Sequence, residues 1–144
     1  MTIRYFALIY GLVFIVVGIA GFVPGLLSPL GPGDPEVAIN GSTGRLFGLF
    51  PVNSLHNIVH IVFGVWGLVA YRGYSASVMY ARAVAVIYAI LFVLGMIPGV
   101  HTLFGLVPLY GHDVWLHLLL SAVAAYFGFV APGRRVETTS ASRA

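Results

Sequence analysis

The sequence predicts an all-α fold: an integral membrane four-helix bundle built from two parallel two-helix repeats, with the N and C termini cytoplasmic. Three observations predict it. The chain has 144 residues, 60% hydrophobic and 8% charged, which is more apolar surface than a soluble domain of this size can hide. Four apolar stretches approach the length that crosses a bilayer. Almost all the arginine lies on one side of those stretches.

The first stretch, Tyr5 to Leu27, carries no charge and is too long for a signal peptide. It is read as a retained span. Leu55 to Tyr71, Val78 to Ile97 and Val114 to Val130 follow, two of them 17 residues long and near the lower limit for a crossing. Arg4, Arg72, Arg82, Arg134, Arg135 and Arg143 fall on one face, whereas Asp34, Glu36, Arg45, His101, His112 and Asp113 fall on the other. The positive-inside rule therefore puts both termini in the cytoplasm. Residues 1–132 are expected to form one transmembrane domain, and 133–144, rich in Ser, Thr and Ala, a disordered cytoplasmic tail.

The chain also repeats itself. Residues 46–53, LFGLFPVN, return as LFGLVPLY at 103–110, and the same offset of 57 superposes His56 on Asp113, His60 on His117 and Gly64 on Ser121. The first and third stretches both close with Gly-x-x-Pro-Gly, at Gly21 and at Gly95. The predicted halves are 1–72 and 78–132. Each has an even number of crossings, so they share one orientation about an axis along the membrane normal. The LFGL segments are too short to cross and are expected in the outer interface as a helical turn or re-entrant corner. Small residues suited to close helix contact recur at Ala7, Gly11, Gly18, Gly21, Ala81, Ala85, Ala89, Ser121 and Ala125.

The paired LFGL-x-P segments, each leading into a helix that opens with His56-Asn57-x-x-His60 or its counterpart Asp113-x-x-x-His117, resemble the bacterial membrane family called domain of unknown function 4383. The resemblance runs to about Pro132, and Val114 departs from the asparagine usual in that family's second half. It implies topology and a bacterial plasma (inner) membrane location, and no reaction.

Ionisable groups inside membrane helices are costly and usually face the bundle interior. The i,i+4 spacing puts His56 with His60, and Asp113 with His117, on one helix face each. If the two faces meet, three imidazoles and one carboxylate form a ligand set for Zn, Fe, Mn or Cu. A sharper version is haem b with His60 and His117 as axial ligands, and with Gly64 and Ser121 leaving room beside the ring. The plainer reading satisfies the histidines by helix-to-helix hydrogen bonds, to Asn57, Ser121 or a backbone carbonyl, worth ~0.6 kcal/mol each. In that reading Asp113 is a helix N-cap, and His56 and His112 lie near the membrane surface.

Other chemistry is excluded or unsupported. The absence of cysteine removes disulfides, thiolate metal sites and redox thiols. The formal charge of +3 is scattered over ends and loops, so nucleic acid is not an expected partner. Gly31-Pro32-Gly33-Asp34 and Gly41-Ser42-Thr43-Gly44 fit turns and lack the strand-to-helix setting of a phosphate cradle. Ser54 and Ser121 lack an oriented base and an oxyanion donor set. The expected role is thus a non-enzymatic membrane module or accessory subunit with no catalytic residues. Its partners are the lipid bilayer and a homo-oligomer or larger membrane complex; the alternative role is binding a transition metal or haem b.

Overall fold

The computed structural model of the chain describes residues 2–132. The expected tail at 133–144 lies outside them. Four helices dominate: α1 (Ile3–Ala20), α2 (Ser54–Ala70), α3 (Tyr74–Gly95) and α4 (His112–Ala125), which runs on through a π-helical turn at Tyr126–Val130. α1, α3 and the stretch His112–Val130 are long and apolar enough to cross a membrane, and α2, at 17 residues, is the shorter apolar helix.

The first helix is shorter than the apolar run suggests. It stops at Ala20, and Phe22 to Leu26 turn back through a 3-10 turn at Pro24–Leu26. Pro24 lacks the N–H that would continue the helix onto the Ala20 carbonyl, and where the chain leaves the helix the Gly21 carbonyl accepts a hydrogen bond from Asn57 Nδ2 at 2.7 Å.

The all-α expectation is corrected by a small antiparallel sheet in the loop between α1 and α2. Its strands β1 (Leu27–Ser28), β2 (Gly44–Leu46) and β3 (Phe50–Val52) lie in the order β1-β2-β3, with Leu27 opposite Leu46, and Gly44 opposite Val52. Backbone groups at the end of an apolar helix layer must find partners, and a ladder of two or three residues supplies them.

The LFGL segments are not helical. In the first, Phe47 and Gly48 take left-handed φ of 54° and 74°, turning the chain from β2 into β3. In the second, Phe104 and Gly105 take 58° and 87°. Gly48 N–H donates to the Arg45 carbonyl and Leu49 N–H to that of Leu46, while Gly105 N–H donates to Thr102 and Leu106 N–H to Leu103. The second turn is stitched to the first loop where Ala38 N–H donates to the Gly105 carbonyl at 2.8 Å.

α1 packs mainly on α2, and α3 on α4. The first pair meets through glycine. A Cβ at Gly11 would stand 2.9 Å from the Gly64 carbonyl oxygen, and one at Gly67 2.8 Å from the Ala7 carbonyl oxygen. All four helices contribute to one core, in which Phe6, Ala7, Tyr80, Ala81, Val84 and Ala124 are fully enclosed. The large aliphatic residues instead face outward, Val16 at 64%, Val62 at 59% and Leu119 at 60% exposure. Small, polar and aromatic side chains thus dominate the inside and most large aliphatic ones lie outside, a distribution unlike that of a domain folded in water.

Candidate functional site

Two helix entries build the site. Asn53, fully buried, is the N-cap of α2: its Oδ1 accepts from His56 N–H at 2.9 Å. Its Nδ2 donates to the Ile39 and Leu106 carbonyls at 2.9 and 2.8 Å, so one side chain joins α2 to both loops. At α4 the cap position is Gly111, whose φ of 69° admits the incoming chain. Asp113, expected as an N-cap, is instead the second helical residue and points inward.

The sequence-predicted quartet is buried as a group: His56 at 2%, His60 at 6%, Asp113 at 2% and His117 at 2% exposure. The His56 and His60 rings lie 4.5 Å apart edge to face, and the His56 and His117 rings 6.3 Å apart. His117 Nδ1 stands 3.3 Å from Asp113 Oδ2 without hydrogen-bond geometry. One ligand atom each from His56, Asp113 and His117 lie within 4.8 Å of one another. His60 is outside that set and stacks on Phe14 with ring centroids 5.6 Å apart.

Of the partners expected for the histidines, a backbone carbonyl, that of Pro51, meets His56, while Asn57 Nδ2 and Ser121 Oγ are engaged elsewhere and Asn57 Oδ1 makes no hydrogen bond among the described residues. Asn57 bonds to α1 at Gly21, and Ser121 Oγ donates to the Ala85 carbonyl of α3 at 2.7 Å. Among the described residues, His56 Nδ1, His60 Nδ1, Asp113 Oδ2 and His117 Nδ1 are buried without a hydrogen bond. The small side chains expected to leave room for a flat cofactor beside His60 and His117 take part in helix contacts. Gly64 lies against the backbone of α1, where a Cβ would come within 2.7 Å of the Gly11 carbonyl oxygen, and Ser121 is held to α3. Small side chains at these positions let helices approach.

His112 is exposed, and His101 is half-buried with its Nδ1 accepting from Gly99 N–H at 3.2 Å, so neither joins the cluster. Nearby in the loops, Arg45 forms a bidentate pair with Asp34. That hydrogen-bonded guanidinium holds the Asp34 carboxyl below its ordinary range, and burial followed by the Asp34 charge pushes the Tyr110 hydroxyl up.

Sequence reasoning missed three residues that shape the centre. Asn53 carries a readable signal, a capping residue three before His56 at the start of an apolar run. Phe14 and Tyr88 carry none. Phe14 stacks on His60, Tyr88 meets His117 edge-on at 5.0 Å, and the two rings stack on each other at 5.5 Å, closing the inner side.

Two imidazoles and a carboxylate with free lone pairs are able to hold a divalent ion or exchange protons. Comparison with curated proteins and with solved structures gives no match. A family model does match residues 4–130, nearly the whole described chain. The chain therefore belongs to the family described as Domain of unknown function (DUF4383).

Proposed function

We propose that the chain is a multi-pass, non-enzymatic membrane module: two copies of one helix pair arranged about an axis along the membrane normal, joined at their outer ends by the buried His56, His60, Asp113 and His117 centre. The observation that carries this reading is a set of contacts that recur at fixed offsets, 74 between α1 and α3 and 57 between α2 and α4. Gly11 against Gly64 corresponds to Ala85 bonded by Ser121. Phe14 on His60 corresponds to Tyr88 on His117. Gly21 against Asn57 corresponds to Gly95 against Val114. The residues that would straddle the axis touch their own counterparts, Phe14 to Tyr88 at 5.5 Å and Phe6 to Tyr80 at 6.4 Å.

The inner ends support the same reading. Arg4 Nε donates to the Tyr71 carbonyl at 2.8 Å and Arg82 Nε to that of Gly128 at 2.9 Å, two acceptors 57 residues apart. Each guanidinium also lies over an aromatic ring, Tyr71 or Phe129, as expected of arginines that reach for a membrane surface. The Gly128 carbonyl is available for this bond because Pro132, four residues on, has no N–H to donate to it. Four crossings follow in this reading. α2 rises roughly 25 Å at 1.5 Å per residue, close to the ~30 Å hydrocarbon core. Arg4, Arg72 and Arg82 put the inner ends on the cytoplasmic side of the plasma membrane.

Because the sequence has no cysteine, single introduced thiols report sidedness without background. Phe47→Cys and Phe104→Cys, at exposed turn tips, should react with an impermeant maleimide on intact cells. Ser75→Cys, exposed in the first turn of α3, should react only after permeabilisation. Labelling of all three from the same side, or recovery of the chain in the soluble fraction, defeats the proposal.

A further inference from the structure

We infer that His56, Asp113 and His117 bind one first-row divalent transition ion, with Zn2+ as the best-matched member of the class, in the polar centre between α2 and α4. The inference rests on the membrane reading above and names the ligand of that same centre. Three facts carry it. The donor atoms converge from two helices that are not consecutive in sequence, within 4.8 Å of one another. All three side chains are buried, and His56 Nδ1, Asp113 Oδ2 and His117 Nδ1 make no hydrogen bond among the described residues. Two side-chain groups that a structural histidine pair could use are held elsewhere, Asn57 Nδ2 by the Gly21 carbonyl and Ser121 Oγ by that of Ala85, and Asn57 Oδ1 makes no hydrogen bond to the histidines among the described residues.

Geometry favours a tetrahedral ion. With metal-to-ligand bonds of ~2.0–2.1 Å, tetrahedral donors stand about 3.3 Å apart. The His117 Nδ1 to Asp113 Oδ2 separation of 3.3 Å already matches that edge. The widest separation in the set, 4.8 Å at most, exceeds that edge by up to ~1.5 Å, which rotation of the imidazole and carboxylate groups has to supply when the ion binds. Two neutral imidazoles and one carboxylate are borderline-soft nitrogen and hard oxygen donors, the mixture used by Zn2+ sites that keep a fourth position for water. Magnesium and calcium, which take oxygen-rich shells, fit it poorly. His60 lies beside His56 and outside the ligand set, where it helps to fix the His56 ring.

The test uses the full-length protein in detergent, stripped with chelator, reloaded with Zn2+ and desalted, with metal counted by mass spectrometry. The expected result is about one Zn2+ per chain, with an affinity at least ~100-fold weaker in Asp113→Asn and His117→Ala, since even losing a group that only orients a ligand costs ~10–100-fold. His101→Ala, which changes an outer loop histidine, should retain the ion. Failure of wild-type protein to retain Zn2+, or equal retention by Asp113→Asn, overturns the inference; so does equal loss in His101→Ala. Should the site variants fail to fold, Co2+ added to unaltered protein decides. Visible d–d bands of a four- or five-coordinate ion, bleached by Zn2+, support the site, and an octahedral aqua spectrum refutes it. The two failures are separable: correct thiol sidedness with no bound ion removes only the metal, whereas reversed sidedness removes the membrane arrangement.

Discussion

Gly64 is the position where the helix contact can be broken with one methyl group. A Cβ there would lie 2.5 Å from Ile15 Cγ1, 2.7 Å from the Gly11 carbonyl oxygen and 2.8 Å from Ile15 N. Ordinary non-bonded separations are ~3.5–4.0 Å, so α1 and α2 must part by roughly 0.7–1 Å to admit the methyl. Two of the three obstructing atoms are backbone, so a side-chain rotation relieves only the third. Overpacking of this kind costs ~1–3 kcal/mol, and parting the helices also disturbs the Phe14 ring that stacks on His60 one turn away. Gly64→Ala should therefore be less stable than wild type by that amount in detergent micelles, followed by the fluorescence of Trp66 and Trp115 during denaturant titration. Gly25→Ala, with open space around the added methyl, should change nothing. A Gly64→Ala protein as stable as the Gly25→Ala control refutes the close-contact argument.

Ser121 occupies the corresponding place in the second half, and Ser121→Ala should cost only ~0.6 kcal/mol because a single interhelical hydrogen bond to Ala85 is lost; a penalty as large as that of Gly64→Ala argues against the role given to Oγ. Asn53→Ala removes the α2 cap and two loop ties, with an expected loss of ~1–3 kcal/mol. Faster amide hydrogen exchange at Ala38, Ile39 and His56 checks it, and unchanged exchange rates contradict it. The Asp34–Arg45 pair makes stability depend on pH: a carboxyl held below its ordinary value by Arg45 stabilises the fold above the unfolded pKa of ~3.9. That contribution is lost as pH falls through the lower folded value, so wild type and Asp34→Asn should differ at pH 7 and converge in acid. Parallel stability curves down to acid pH rule the coupling out. Tyr10→Phe deletes the hydroxyl that donates to the Leu120 carbonyl at 3.2 Å, and a thermal shift no larger than that of Ser121→Ala is expected; a larger one points to a second, buried role for the hydroxyl.

Much of the architecture is local in origin and was readable from residue order. Four apolar runs bounded by Gly, Pro and Arg became four helices, and the spacing of His56 with His60 and of Asp113 with His117 put each pair on one buried face. The offset of 57 that matches the LFGL segments recurs in their left-handed turns. Strands of two or three residues were invisible, because so short a ladder carries no period and its register depends on a partner elsewhere in the loop. The end of α1 at Ala20 was equally hidden, since Phe22, Val23, Leu26 and Leu27 are as apolar as the helix they leave. Only the tertiary structure decided which faces meet. It gave Gly64 and Ser121 to helix contact, turned Asn57 toward Gly21, and set Phe14 and Tyr88 behind the histidines. Periodicity fixes the side of a helix on which a residue lies, but what stands opposite it depends on pairings dozens of residues distant, which no local pattern records.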